Sequence, residues 1–84
     1  MRLDKWLWHA RFFKSRTLAQ RFIERGRPRL DGRVVDKPHA VVAAGMVLTL
    51  ALGPRVRVVR VVALGERRGP ATEARTLYEE IDAG

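Results

Sequence analysis

The stretch RFFKSR, residues 11 to 16, places Arg11, Lys14 and Arg16 around Ser15, the only serine of the chain. Cations at this spacing suit a phosphate: a guanidinium fork grips two anionic oxygens, and a lysine ammonium adds a mobile point charge. Ser15 is suited to cap a helix that begins just after it. The free N–H groups of that first turn then act on the same oxygens as the side chains. Covalent chemistry has much less to draw on. His9 and His39 stand alone, cysteine is absent, and no HExxH, phosphate-loop glycine pattern or G-x-S-x-G is present. These residues predict a binding protein and not an enzyme, with no cofactor and no metal.

Two short helices must position the cations. Leu3, Trp6, Leu7 and Ala10 recur at three- and four-residue intervals and mark one face of a helix, with Asp4 in its first turn, where a carboxylate complements the helix dipole. Lys5, His9 and Arg11 fall away from that face. A second helix runs from Ser15 to Gly26, the residue suited to a left-handed C-terminal position. Leu18, Ala19, Phe22 and Ile23 face its core side, Arg16, Arg21 and Arg25 border that stripe, and Gln20 and Glu24 point away. The short connection makes the pair a helix-turn-helix. Trp6 and Phe12 are expected in the core, whereas Trp8 and Phe13 stay open between core and base stacking.

After Gly26 the period changes to that of strands. Asp31-Gly32 favours a tight hairpin between Arg29-Leu30 and Arg33-Val34-Val35, and Pro28 predicts that the first strand is short or at an edge. Met46 to Leu52 reads as a largely buried strand, and Gly53-Pro54 turns the chain into a second long strand, Arg55 to Leu64. Val56, Val58 and Arg60 share one parity there, which a bulge near Val58 to Arg60 would reconcile. From Pro70 a short helix is expected, packing Ala71, Ala74, Leu77, Tyr78 and Ile81, with Glu79, Glu80 and Asp82 as a solvated acidic end. The expected fold class is α+β: residues 1–64 as the binding domain with its antiparallel sheet, and 65–84 as an extension with a short helix in the same globule.

At 84 residues the chain has room for one small core. Its 17 Lys+Arg against 9 Asp+Glu give a sequence pI near 11.5. The excess is local: residues 1–33 hold ten basic and three acidic side chains, a net of +7, and the remainder is close to neutral at +1. Such a field attracts a polyanion, above all nucleic acid. The lack of cysteine fits a reducing cytoplasm, and charged residues interrupt every apolar run, so neither a secretory signal nor a membrane span is expected. No dimerisation element is evident, and a monomer is expected.

Several segments resemble a known family: R-L-D-K-W-L at Arg2 to Leu7, K-S-R-x-x-A at Lys14 to Ala19, F-I-x-x-G at Phe22 to Gly26, and the D-G turn ahead of Lys37-Pro38. Together, over about residues 2 to 52, they are similar to the S-four RNA-binding domain, or alpha-L motif. RLDKWLW with A-R-F-F-K-S-R, then R-R-G-P-A-T-E-A and L-Y-E-E at Arg67 to Glu80, resembles the ribosome-associated heat-shock protein 15 family. The resemblance implies an L-shaped helix pair on a small antiparallel sheet, binding structured ribosomal RNA. It implies Arg2, Lys5, Arg11, Lys14, Ser15 and Arg16 as RNA-facing residues, Arg21, Arg29 and Arg33 as peripheral contacts, and Asp4 as a structural clamp for Arg16, a role that competes with Arg16 reaching phosphate. The implied partner is the large ribosomal subunit with peptidyl-transfer RNA, in rescue of stalled translation. This chain departs from the pattern in Asp31-Gly32 where Asn-Gly is usual, in Pro28 where an aliphatic residue is usual, and in stopping at Gly84 where known members continue into a basic extension. Two other readings compete: a DNA-binding helix-turn-helix, and a small protein-interaction subunit.

Overall fold

Helix α1, Leu3–His9, buries Leu3, Trp6, Leu7 and the following Ala10, the four residues whose spacing marks its apolar face. It ends in a Schellman closure: the Arg11 N–H donates to Trp8 O at 3.1 Å and the Phe12 N–H to Leu7 O at 3.0 Å, with Arg11 left-handed at φ 62. Helix α2, Arg16–Glu24, starts where Ser15, in extended conformation, accepts the Leu18 N–H on its hydroxyl at 3.1 Å. It stops at Gly26, φ +68, whose N–H donates to Ile23 O. Both boundaries follow from residues that solve the end-of-helix hydrogen-bond problem. This computed structural model describes residues 1–81 of the chain.

Five antiparallel strands follow: β1 (Pro28–Leu30), β2 (Arg33–Val34), β3 (Val47–Leu52), β4 (Arg55–Val61) and β5 (Tyr78–Glu80), in the order β2-β1-β3-β4-β5. Asp31 and Gly32 have φ 50 and 83, the double positive of a type I′ turn, and the Asp31 carboxylate ties the hairpin down by accepting the Val47 N–H at 2.9 Å. β1 is short, as Pro28 predicts, but lies inside the sheet between β2 and β3. Pro28 is tolerated there as the first residue of its strand, where the ladder begins.

Leu48, Leu50, Val59 and Val61 meet α1 and the buried Ala19 and Ile23 of α2 in one core, which Val42 and Leu77 complete. The expected β4 bulge is absent. Register runs unbroken from Leu52↔Arg55 to Val47↔Arg60, so alternation puts Arg57, Val59 and Val61 on the helix side and Val56, Val58 and Arg60 on the open side. The valines on both parities reflect an uncovered outer face, where Val56 is 65% exposed.

Four further expectations are corrected. The C-terminal helix is a single turn, α3 (Ala71–Ala74), followed by a 3₁₀ turn at Arg75–Leu77. Tyr78 begins β5 where a continuing helix face was expected. The sheet edge of β4 wins because it supplies ladder partners, with Val61↔Tyr78 and Val59↔Glu80 in register. Glu79 and Glu80 are not merely solvated: they pair across the ladder with Arg60, at 3.2 Å, and with Arg57. Asp82 lies outside the described residues. Leu18 is 44% exposed, and His9 is buried, since residues 63–65 cover the flank of α1 that periodicity alone left open.

Candidate nucleic-acid interface

The corner between the helices is organised around one carboxylate. Asp4 is fully buried, and its oxygens accept from Arg2 Nε at 3.1 Å, Arg2 Nη2 at 3.2 Å, Gln20 Nε2 at 2.9 Å and the Lys5 backbone N–H at 2.8 Å. Burial alone would raise its pKa. The Gln20 and Arg2 hydrogen bonds, helped by the charge of Arg16, outweigh that and hold Asp4 below its ordinary 3.8. One side chain thus links the start of α1 to the first turn and a half of α2.

Arg16 sits at the edge of this cluster. Its Nε is 3.5 Å from Asp4 Oδ2 and its Nη2 3.5 Å from Oδ1, and the buried Nε lacks hydrogen-bond alignment with any partner. The clamp is therefore made mainly by Arg2 and Gln20, and Arg16 keeps donors available at a helix N-terminus. Gln20 does not point away as expected. It stands one helical turn after Arg16, so both reach the same carboxylate; that i, i+4 spacing was readable, but only with Asp4 known to lie opposite.

The connecting turn carries the remaining cations of the set. Lys14 is exposed, with no carboxylate partner among the described residues. Arg11 is exposed and held by one atom: its Nε donates to Gly69 O at 2.6 Å. Ser15 spends its hydroxyl on Leu18 N–H, which leaves the Arg16 and Thr17 amides, the first two of α2, without a hydrogen-bond partner among the described residues. Arg2 and Arg16 meet at Asp4, and Arg11, Lys14 and Ser15 lie in the turn that leads to α2. Lys5 is half-buried on α1 beside them, and Arg21 is exposed one turn further along α2.

The hairpin arginines are placed differently. Arg29 pairs with Thr49 and Val34 on the open side of the sheet, across the core from the helices, so the structure does not bring it to the corner. Arg33 is exposed on edge strand β2, on the same side as Leu30.

Ion pairing sharpens the charge asymmetry. Arg57, Arg60 and Arg67 are paired with Glu80, Glu79 and Glu73, whereas in residues 1–33 a single carboxylate, Asp4, pairs with Arg2 and Arg16. Arg11, Lys14, Arg21, Arg25, Arg27, Arg29 and Arg33 have no carboxylate partner among the described residues. The unneutralised field is therefore that of the helix pair and hairpin.

Sequence reasoning missed the segment behind the corner. Arg68 lies over the Trp8 ring at 5.7 Å and donates to Phe13 O, while Gly69 receives Arg11. Residues 67–70 thereby fix the turn from outside, and Trp8 carries a guanidinium on one face. Local periodicity holds no signal for such contacts across more than 50 positions. Among the described residues, no group of three His, Cys, Asp or Glu side chains could hold a metal, and no helix is long and apolar enough to cross a membrane.

The family model described as "S4 domain" matches residues 1–48. Heat shock protein 15 of Escherichia coli (strain K12) is 49% identical over 80 residues, which cover 95% of this chain and 59% of that protein. The chain thus spans about three fifths of the length of that relative. The RQC P-site tRNA stabilizing factor of Listeria monocytogenes serovar 1/2a is 37% identical over 82 residues, covering 95% of this chain and 88% of that one. A solved trimeric structure of Vibrio cholerae heat shock protein 15 superposes with a TM-score of 0.91 at 38% identity, over 98% of this chain and 82% of the other. The chain accordingly belongs to the S4 domain family, among the heat shock protein 15-like members.

Proposed function

We propose that this protein is a non-catalytic, cytoplasmic RNA-binding module that docks on ribosomal RNA of the large subunit during rescue of stalled translation, close to peptidyl-transfer RNA. The observation that carries this reading is the corner around the α2 N-terminus. There Arg11 and Lys14 lie in the turn that leads to Arg16 and the first two amides of α2, with no carboxylate partner among the described residues besides Asp4. Such an arrangement binds phosphate through charge, hydrogen bonding and the helix dipole at once.

Arg2 and Asp4 set the corner's geometry, Arg11, Lys14 and Arg16 contact phosphate, and Lys5, Arg21 and Arg33 extend the field along the backbone of a structured RNA. Arg29 contributes only long-range charge from the far side of the sheet. The names of the relatives, a heat shock protein and a P-site tRNA stabilizing factor, support a ribosomal site next to transfer RNA. The protein acts as a monomer in this reading, and residues 67–70 serve it by bracing the turn.

Sedimentation with purified small, large and nascent-chain-carrying large subunits at several salt concentrations tests the reading. Binding to large subunits, strongest with the nascent chain retained and falling steeply with salt, is the expected result. Equal pelleting with both subunits, or preference for duplex DNA in competition, would overturn it.

A further inference from the structure

A second feature runs from the turn before α2 to the end of that helix. Phe13 from the turn and Phe22 from α2 meet with ring centroids 4.9 Å apart at 47°, and both remain half-buried. They line a cleft of about 400 Å³ together with Arg25, Arg27 and the Leu52-Gly53 turn that joins β3 to β4. Neither Arg25 nor Arg27 pairs with a carboxylate among the described residues, and both are exposed at the cleft.

We propose that this cleft receives one unpaired nucleotide of the bound RNA, with its base on the Phe13–Phe22 surface and its phosphate between Arg25 and Arg27. The inference rests on the RNA-binding reading above. Three observations favour a nucleotide over any other occupant. The volume falls at the small end of ligand pockets, roughly 300–1,000 Å³, which suits one residue of a polymer. Aromatic rings left accessible in a strongly basic surface are what an unstacked base requires, since every base offers a π-face. The two guanidinium groups demand an anion beside that apolar floor, and a nucleotide joins both in one unit. Arg21 and Arg25, one turn apart on α2, carry the positive field from the corner toward the cleft, so a backbone held at the α2 N-terminus has a charged path to it.

The test uses three RNA hairpins of equal length: fully paired, with a single unpaired 2-aminopurine, and with an abasic residue at the same place. Wild-type protein is expected to bind the 2-aminopurine hairpin about tenfold tighter than the abasic one, with a rise in fluorescence on binding as the base leaves its stacked neighbours. Phe13→Leu, which keeps an apolar side chain but loses the ring, is expected to cut that preference to twofold or less while binding the abasic hairpin as wild type does. Arg25→Gln with Arg27→Gln changes only exposed side chains, so it keeps the question open to measurement should Phe13→Leu lose its fold; it is expected to weaken binding of the 2-aminopurine and abasic hairpins alike, since both keep the phosphate, and to do so more than for the fully paired hairpin, whereas an equal effect on all three would overturn the phosphate's placement. Equal affinity of wild type for the unpaired and abasic hairpins, with binding to both intact, would overturn the cleft assignment alone. Failure to bind any of the three would overturn the RNA-binding reading with it.

Discussion

Arg11→Gly separates the two demands placed on Arg11. Its backbone is left-handed at φ 62, a conformation that costs a side-chain-bearing residue about 1–2 kcal/mol and glycine almost nothing. Glycine returns about 0.4–1 kcal/mol of that through the greater freedom of the unfolded chain. Loss of the Nε hydrogen bond to Gly69 O removes about another 1 kcal/mol. The expected change in folding free energy is therefore within about 1 kcal/mol of zero, readable by urea denaturation with an unaltered slope. RNA binding should respond quite differently. One phosphate contact contributes roughly 0.7–0.9 to the slope of log K against log salt, so its loss weakens binding by about five- to eightfold at 0.1 M salt and the deficit closes toward 1 M. Fluorescence anisotropy with a structured ribosomal RNA fragment, titrated from 0.05 to about 0.5 M salt, reads both quantities. A variant that folds as well as wild type and binds with the same affinity and slope would refute the placement of Arg11 against phosphate. A variant that unfolds would refute the strain reasoning instead.

The clamp is tested by Asp4→Asn, which should destabilise by about 2–3 kcal/mol, less than for a fully buried pair because Arg2 can turn to solvent. Because the folded state lowers the Asp4 pKa, its contribution is complete above the unfolded value near 3.8 and disappears as pH falls through the lower folded value; the acid limb of stability should be shallower in Asp4→Asn. Ser15→Ala should cost about 1 kcal/mol by thermal or urea unfolding, and Ser15→Gly only a few tenths, since the hydroxyl caps Leu18 N–H. Gly65→Ala should destabilise by about 1–2 kcal/mol, because the residue has φ +77 and an added Cβ would lie 3.1 Å from Leu77. Lys14→Ala should leave unfolding unchanged and lower the salt slope of RNA binding by roughly one unit, a measurement in which no change would remove Lys14 from the site.

What was legible in the sequence depended on how far each cause reached along the chain. Helix boundaries came from Ser15 and Gly26, the hairpin from Asp31-Gly32, and the core face of α1 from Leu3, Trp6 and Leu7; each is decided within a few residues. Periodicity failed where a distant segment intervened. His9 looks solvent-facing on a helical wheel but is covered by residues 63–65, and Tyr78 continues a helical pattern yet is taken by the β4 edge. The β4 pattern misled in another way: valines on both parities suggest a bulge if one face must be buried and the other polar, and this sheet simply leaves Val56 in solvent. For the candidate site, the residue types and their nearness along the chain were readable. The hierarchy within it was not, because Gln20 and Arg2, and not Arg16, make the short contacts to Asp4. The hairpin arginines divide by strand alternation, which sends Arg29 and Arg33 to opposite sides of the sheet.

Amide chemical-shift mapping with a structured large-subunit RNA fragment reports whether RNA lies across the α1–α2 corner. The amides of Arg11 to Leu18 and of Gly69, which the corner ties together, are expected to move most, with shifts that fade as salt is raised. Shifts concentrated instead on Val34, Thr49, Val56 and Val58, with the corner unmoved, would place the ligand on the open sheet and contradict the account.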